Sequence, residues 1–410
     1  MTRPLERMAA WLTERRVRRH AALLGLCLWL VYGISLWTPG MRDRSGIVKG
    51  ADFLHFYTLG SLANQGRAAD LYDAYAQKAE SERLVPDSKG FFFQPVHGPQ
   101  MALLFAPLAR LPYPAAAVLW MAISAALYGA CCHVVWRRCP ELGRHRGTVL
   151  LLVFASPAFF NLIAHGQTSA LALACFTLAY LALEAKRPLL AGLAIGMLIY
   201  KPQLGLAAAV VFVVTGQWKV VLGAVAGAAA QLASGWAAWG SSVMEQYWRT
   251  LWRLGEMSSV LEPKLYQMHS LRAFWSLLVP WDGPALWLYL ATAGVVLTGT
   301  VWFWRTKSPM PLRYSGLLLA TVLVAPHLTV YDLVILAPAM LLPGNWALAN
   351  PAHRWSPAMR VLLYLSYALP LLGVVTQVTH VQLSVVAFAA MAWVVAQLVV
   401  EEHKRAAISS

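Results

Sequence analysis

The chain has 410 residues, of which 59% are hydrophobic and only 12% are charged. Soluble proteins carry about 25% charged residues, so this composition excludes an ordinary globular surface and predicts a multi-pass membrane protein. The formal net charge of +15 is distributed over short basic clusters between apolar runs. That distribution is typical of membrane topology signals, and we therefore expect no nucleic acid among the partners.

The first part of the chain alternates between polar and apolar segments. Residues 1–20 are basic and amphipathic, which favours a position along the inner membrane surface, and 21–37 form the first predicted span. The polar segment of about 38–94 is predicted to be a functional outer loop with a helix at 70–82. Residues 91–111 are apolar but interrupted by three prolines, so we predict a re-entrant or interfacial segment there.

Eleven further apolar segments complete a predicted all-α bundle of about twelve transmembrane helices, a single domain over 1–410. A second long outer loop is predicted at about 241–280. The eleven segments are 115–136, 148–163, 169–183, 189–199, 204–214, 220–239, 284–304, 312–325, 331–342, 360–375 and 381–400.

Basic residues concentrate in the short loops on one side of this predicted bundle. The short loops on the other side contain only Lys201. The positive-inside rule then predicts that both termini lie in the cytoplasm and that the two long loops lie outside. The five cysteines fall in predicted spans or in an inner loop, so we expect no disulfide.

The stretch 50–57, GADFLHFY, carries a carboxylate in apolar surroundings. A buried carboxylate is costly unless it is paired or used, so Asp52 is our candidate catalytic group. If this stretch is helical, Asp52, His55 and Phe56 share a face. The alternative is that Asp52 is the N-cap of a helix and only holds backbone amides.

Two short outer connections also contain polar residues at membrane level. In His165-Gly166-Gln167 a tight turn explains the glycine but not its two polar neighbours. In Tyr200-Lys201-Pro202-Gln203 the lysine suits a lipid phosphate, and the proline frees backbone to line a cavity. The alternative for Lys201 is snorkelling to the interface.

Two further segments complete the candidate site. If the segment 325–332 is helical, His327 and Tyr331 share a face and Asp332 orients His327, whereas the alternative is a capped helix start. In the second loop, Arg272 follows His269 closely and is suited to grip a phosphate with two hydrogen bonds.

The motifs of the common soluble enzymes are missing from the sequence. There is no Gly-rich dinucleotide or nucleotide loop, no zinc-protease motif and no nucleophile elbow. No Asp-x-Asp pair stands on an outer loop to hold a divalent ion. We therefore expect neither a metal nor a cofactor.

The order of several short motifs resembles bacterial glycosyltransferase family 87, whose best-known members are polyprenol-phosphate-mannose-dependent α-mannosyltransferases. The resemblance extends from about residue 50 to 340. The motifs are Asp52-Phe53, Gly66 with Leu71-Tyr72-Asp73, Phe93-Gln94-Pro95, Pro107-Leu108-Ala109, Gly166-Gln167, Ala191-Gly192 with Lys201-Pro202, and Pro326-His327 with Tyr331-Asp332.

The resemblance implies a GT-C membrane fold in a bacterial inner membrane, a lipid-linked sugar donor, and inverting transfer to a lipid or glycan acceptor on the outer face. Asp52 matches the catalytic aspartate at the start of the first loop helix, and His327 would assist proton handling. Together with the sequence, it predicts donor binding and site-lining roles for further residues. Those for the donor phosphate or sugar are Lys201, Arg272, His269, Gln167 and His165, and those lining the site are His55, Tyr57, Tyr331 and Asp332.

Two other functions stay open at this point. Twelve spans with both termini inside is also a common layout of transporters, here for a lipid-linked or amphiphilic solute. A transporter, however, would carry its polar groups near the bilayer midplane rather than at the outer ends of spans. A non-catalytic membrane scaffold leaves Asp52, Lys201, His327 and Arg272 unexplained.

Overall fold

The computed structural model describes residues 2–253 and 264–408. Within these ranges the chain is helical, with short irregular connections and two isolated β-bridges. The α-helices are Thr2–Trp11, Glu14–Leu36, Ala51–Asn64, Ala74–Leu84, Gln100–Phe105, Tyr113–Trp136, Pro140–Gly143, Arg146–Phe154, Pro157–His165, Ser169–Glu184, Pro188–Gly196, Leu206–Val214, Trp218–Trp252, Leu271–Leu278, Asp282–Arg305, Met310–Val324, Ala337–Ala349, Ser356–Ala368, Gly373–Thr379 and Leu383–Ile408. The main 3₁₀-helices are Ala68–Tyr72, Met197–Tyr200, Pro202–Leu204, Leu265–Gln267 and Val330–Leu336.

The number of spans differs from the sequence-based count. In the described part of the chain, seven helices are long and apolar enough to cross a membrane, and the bent pair Ser356–Leu371 and Gly373–Thr379 gives an eighth if counted as one span. Other predicted spans correspond to shorter apolar helices, Ser169–Glu184, Pro188–Tyr200 and Met310–Val324. An all-helical integral membrane protein is therefore confirmed, whereas a bundle of twelve spans is not.

The first long loop is folded rather than extended. Its main element is the helix Ala51–Asn64, which is buried on nearly every face. The predicted helix 70–82 begins later than expected, at Ala74. The reason is that the Asp73 carboxylate accepts hydrogen bonds from the backbone N–H groups of the second and third helical residues and so forms the N-cap.

The predicted second loop begins with a helix. The range Trp218–Trp252 consists of two helices that meet at a kink at Gly240, with φ of 80° and ψ of 178°, so the first helix ends where the span was expected to end, at residue 239. Glycine adopts this backbone conformation without the steric cost of a side chain. Part of the predicted loop, 254–263, lies outside the described residues. Its later part returns to the bundle, where Met268 forms an isolated bridge with Thr329.

Two helices cross with their backbones in contact. A Cβ atom on Gly192 would lie 2.0 Å from the carbonyl oxygen of Val220, and one on Gly196 would lie 2.1 Å from that of Ala224. Glycines four residues apart permit this approach between membrane helices. The facing helix has the same spacing at Gly223 and Gly227.

This crossing predicts opposite effects for two glycine-to-alanine changes. Gly196→Ala is expected to destabilise the protein by about 1–3 kcal/mol, because the methyl group forces two backbones apart. Gly129, in the helix Tyr113–Trp136, has open space around an added Cβ, so Gly129→Ala should be neutral or stabilising by up to about 1 kcal/mol. Thermal unfolding in detergent measures both, and equal Tm values for the two variants would contradict the crossing.

A buried carboxylate joins the two helices of the first loop. Glu80 is 2% exposed, and its Oε1 atom accepts hydrogen bonds from Ser61 Oγ at 2.7 Å, Gln65 Nε2 at 2.6 Å and Arg83 Nη2 at 2.7 Å. The hydrogen-bonded Arg83 guanidinium, helped by the other two donors and against the effect of burial, lowers the pKa of Glu80 to about 2. The carboxylate therefore stays charged in the folded loop at neutral and mildly acidic pH.

We expect the contacts between Glu80 and its three donors, Ser61, Gln65 and Arg83, to weaken in acid. A carboxyl group whose folded pKa is depressed contributes stability above its unfolded pKa of 4.5 and loses it as the pH falls towards about 2. The contribution is roughly 2 kcal/mol, because Arg83 is well exposed and solvent screens its charge. Glu80→Gln should lower the Tm at pH 7 and flatten its decline between pH 4.5 and 3. Glu245→Gln, which removes an exposed carboxylate, serves as the control and should change neither.

Candidate active site

The helix that carries Asp52 starts at a fixed position. Its N-cap is Gly50, which has a left-handed backbone with φ of 69° and no capping side chain. The Tyr113 hydroxyl donates to the carbonyl oxygens of Lys49 at 2.8 Å and Gly50 at 3.0 Å. Asp52 therefore lies inside the first turn, and the interpretation of Asp52 as an N-cap is wrong.

Gln167 holds the Asp52 carboxylate from a neighbouring turn. Gln167 Nε2 donates to Asp52 Oδ2 at 2.9 Å. Its Oε1 atom accepts from the backbone N–H of Thr168 at 3.1 Å and from Lys201 Nζ at 3.4 Å. Because both of these partners are donors, the amide can only point its NH₂ group at Asp52. The other carboxylate oxygen, Oδ1, has no hydrogen-bond partner among residues 2–253 and 264–408.

The lysine that donates to this amide belongs to a buried ion pair. Lys201 Nζ lies 2.7 Å from Asp332 Oδ1 and donates to Ser169 Oγ at 3.0 Å, and the Ser169 hydroxyl donates to the same Asp332 oxygen at 2.6 Å. Lys201 is 6% exposed and Asp332 only 1%. Lys201 does not snorkel to an interface, and its burial is tolerated because the charge is paired and hydrogen-bonded.

Asp332 also takes part in capping the 3₁₀-helix Val330–Leu336. Its carboxylate forms a capping box with Thr329, so the capped helix start considered from the sequence is present. His327 precedes this helix in an irregular segment. The shared helical face of His327 and Tyr331, expected if the whole segment 325–332 is helical, is therefore absent from this described segment. The Tyr331 ring instead lies 5.2 Å from Lys201 Nζ, in cation–π range, and its centroid is 6.0 Å from that of His165.

The turn that presents Gln167 packs against the Asp52 helix. Gly166 has a left-handed backbone with φ of 68°, and a Cβ atom there would lie 2.6 Å from Phe53 Cβ. Trp120 Nε1 donates to the Gly166 carbonyl at 3.0 Å. Only glycine adopts this left-handed backbone without steric cost and also leaves room for the Phe53 side chain. The close contact between Gly166 and Phe53 sets the distance from Gln167 to Asp52.

Two residues predicted to line the site contact protein groups in the structure. The His55 ring stacks on the Phe93 ring, with centroids 4.9 Å apart and planes 7° apart, and burial lowers the pKa of His55 to about 4. The Tyr57 hydroxyl donates to the Leu111 carbonyl at 2.7 Å. His55 is therefore neutral near pH 7, and the Tyr57 hydroxyl fixes the Asp52 helix to the end of the segment 91–111.

His97, which was not among the residues predicted from the sequence, belongs to the same region. Its ring centroid is 5.2 Å from that of His55. Burial lowers the pKa of His97 well below its usual value, and electrostatic interactions with His55, Lys201 and His327 lower it further. The His97 imidazole, beside the His55 ring, is therefore neutral near pH 7. The sequence feature that could have identified His97 as a site residue is its position between two prolines of the predicted re-entrant segment.

The two second-loop residues lie beside the segment that carries His327. The His269 backbone N–H donates to the Leu328 carbonyl at 3.0 Å, while its ring is buried and hydrogen-bonded to Ser384 Oγ at 2.8 Å. Burial lowers the pKa of His269 to about 3, so this ring supplies no positive charge near pH 7. Arg272 lies in the first turn of Leu271–Leu278 and makes no hydrogen bond or ion pair within the described parts of the chain.

Direct contacts thus connect Asp52, Gln167, Lys201, Asp332 and Tyr331, with His165 beside them. Of the other predicted residues, His55, Tyr57, His269 and Arg272 make no hydrogen bond to this network within 2–253 and 264–408. Ser169 is a network member that was not predicted from the sequence, although it follows Gln167-Thr168 in a run of polar residues at a helix start. We call the end of the bundle that holds these residues the site end.

A helical membrane protein with a carboxylate held by a buried amide and ion pair has the features of an integral membrane enzyme. The sequence pattern of glycosyltransferase family 87 matches residues 96–326, which is more than half of the chain. The chain belongs to this family and is a membrane glycosyltransferase, which favours this interpretation over a transporter or a scaffold. No curated protein and no solved structure matches the chain.

Proposed function

We propose that this protein transfers a hexose, with mannose as the first choice, from a polyprenyl-phosphate donor to a lipid or glycan acceptor. The observation that carries the proposal is the Asp52 carboxylate, which Gln167 holds at one oxygen while the other oxygen faces no described partner. A general base needs this combination of fixed orientation and an open proton-accepting atom.

In the proposed reaction, Asp52 Oδ1 takes the proton of an acceptor hydroxyl as that oxygen attacks the anomeric carbon. The bond between this carbon and the phosphate oxygen breaks, and the sugar configuration inverts. The amide of Gln167 and the N-terminal turn of the helix both stabilise the charged carboxylate before the reaction. The product leaves with a new glycosidic bond and Asp52 carries the proton.

The donor phosphate is an ionised leaving group, so its stabilisation matters more than its protonation. Asp332 already balances the charge of Lys201, and the phosphate would meet an ion pair rather than a free ammonium group. Arg272 is therefore our preferred direct phosphate ligand. Lys201 acts mainly by fixing Gln167, and His327 assists proton handling near Asp332. The proposed chemistry requires no metal or cofactor, because a phosphate leaves as a stable anion.

The proposed orientation places the site end outside. The basic short loops lie at the opposite end of the helices, which puts both termini in the cytoplasm of a bacterial cell by the positive-inside rule. In this orientation a lipid-linked donor reaches the site end from the outer leaflet of the inner membrane.

The test is sugar transfer by the purified protein in proteoliposomes that contain native lipid extract. Three labelled donors are compared: polyprenyl-phosphate mannose, polyprenyl-phosphate glucose and nucleotide-activated mannose. We expect label to reach a new product from polyprenyl-phosphate mannose only. Transfer from the glucose donor alone overturns the choice of sugar, transfer from the nucleotide donor overturns the lipid-linked donor, and no transfer from all three overturns the proposed reaction.

A further inference from the structure

A large apolar cavity lies between helices of the bundle, and its lining in the described part of the chain does not include Asp52, Gln167, Lys201 or Asp332. It has a volume of about 290 Å³ and extends from Leu333, one residue after Asp332, to Leu348 near the far end of the helix Ala337–Ala349. A cavity of about 150 Å³ is sufficient to bind benzene, so this space accommodates a larger hydrocarbon.

A second apolar cavity, of about 330 Å³, adjoins the first. The two share four lining residues, Val17, Leu152, Tyr364 and Tyr367, so that two tyrosine rings stand between them. Two apolar cavities with a common wall offer separate space for the two hydrocarbon chains of one lipid.

The mouth of the first cavity is positively charged. Arg360 lines the cavity, and its Nη2 atom donates to the Leu12 carbonyl at 3.3 Å. Arg16 Nη1 donates to the preceding carbonyl, that of Trp11, at 3.1 Å. Two exposed guanidinium groups therefore donate to neighbouring carbonyls at the turn between the helices Thr2–Trp11 and Glu14–Leu36, and each keeps further N–H groups for another partner.

We propose that the two cavities bind the acyl chains of an anionic glycerophospholipid whose phosphate lies between Arg16 and Arg360. Paired guanidinium groups bind phosphate oxygens in a fork geometry, and basic pockets between membrane helices bind acidic lipid head groups. The polyprenyl donor is a different lipid, because its phosphate belongs at the site end, at the other end of these helices.

The bound lipid has a structural consequence for the site. Leu333 and Val334 line the cavity and directly follow Tyr331 and Asp332 in the same 3₁₀-helix. Acyl chains in the cavity thus support the segment that holds Lys201. This inference does not depend on the proposed sugar transfer, since lipid binding is measured without a donor.

The experiment measures lipid retention by native mass spectrometry of the delipidated full-length protein. Phosphatidylglycerol, phosphatidylcholine and polyprenyl phosphate are added separately. We expect the wild type to retain one phosphatidylglycerol per chain and Arg16→Gln/Arg360→Gln to bind it about tenfold more weakly. Lys186→Gln/Arg187→Gln removes the same charge from an exposed turn at the same end of the bundle and should bind like the wild type.

A second pair of variants tests the cavity itself. A Cβ atom on Gly344 would have only Leu363 Cδ1 nearby, at 3.8 Å, so Gly344→Leu fills the cavity without a backbone clash. Gly129→Leu places the same side chain in open space at the bundle surface and is the matched control. Gly344→Leu should lose phosphatidylglycerol at least fivefold relative to Gly129→Leu.

Three results would overturn the proposal. These are no retention of phosphatidylglycerol by the wild type, equal binding by the arginine double variant, and tighter binding of phosphatidylcholine or polyprenyl phosphate than of phosphatidylglycerol. Gel filtration and Tm confirm that each variant is folded, and if Gly344→Leu does not fold, the arginine double variant decides the question.

Discussion

Asp52→Asn is expected to lower the turnover number for sugar transfer by a factor of about 10²–10⁴, the usual contribution of a general base. The asparagine side chain has nearly the same shape and still accepts the hydrogen bond from Gln167 Nε2. It cannot, however, take a proton from the acceptor hydroxyl. The Tm should therefore change by little while the rate falls, and both are measured on the same preparation.

Asp70→Asn is the matched control for this change. Asp70 is a second aspartate of the first loop, and it pairs with Arg67 at 2.6 Å on the loop surface. Its replacement should leave the rate within a factor of two. If Asp52→Asn keeps more than a tenth of the wild-type rate, Asp52 is not the base and its hydrogen bond to Gln167 is structural.

Lys201→Met is expected to destabilise the protein by about 3–5 kcal/mol, because it leaves the Asp332 carboxylate buried without its positive partner. Lys201→Met/Asp332→Asn removes both charges and keeps an acceptor for Ser169 and Thr329. The double variant should therefore recover most of the lost stability, and the double-mutant cycle yields the coupling energy. Arg138→Met breaks an exposed pair with Glu184 and should cost at most about 1 kcal/mol.

Activity separates the two roles of this ion pair. In the double variant the Gln167 carbonyl loses Lys201 as a donor and keeps only the Thr168 backbone N–H, so its amide is held less firmly towards Asp52. We expect the recovered protein to transfer sugar at least tenfold more slowly than the wild type. Full activity in a stable double variant would show that the pair serves folding alone.

Four residues selected from the sequence are brought into direct contact by the structure, and the reason is physical. Asp52, Gln167, Lys201 and Asp332 each stand beside a long apolar run, where an isolated polar group is costly. The predicted topology placed all four at one end of the bundle. Their direct contact follows from the same cost, because buried polar groups are stable only when they satisfy one another.

The sequence did not predict which residues of the network pair with each other. Asp332 was expected to orient His327, five residues away, but it pairs with Lys201, which is 131 residues distant. Which residues pair across such a separation depends on how the helices pack, and a local sequence pattern does not contain this information. The same holds for the helix Ala51–Asn64, which is buried on nearly every face and therefore shows no amphipathic periodicity.

The division of the network along the chain has a consequence for protein engineering. Gln167 and Lys201 lie within the family-matched segment 96–326, whereas both carboxylates, Asp52 and Asp332, lie outside it. A chimaera that exchanges only this segment with that of a relative joins an amide and an ammonium group from one parent to acids from the other. The unit of exchange that keeps the site intact is the whole span from the first loop helix to the 3₁₀-helix Val330–Leu336.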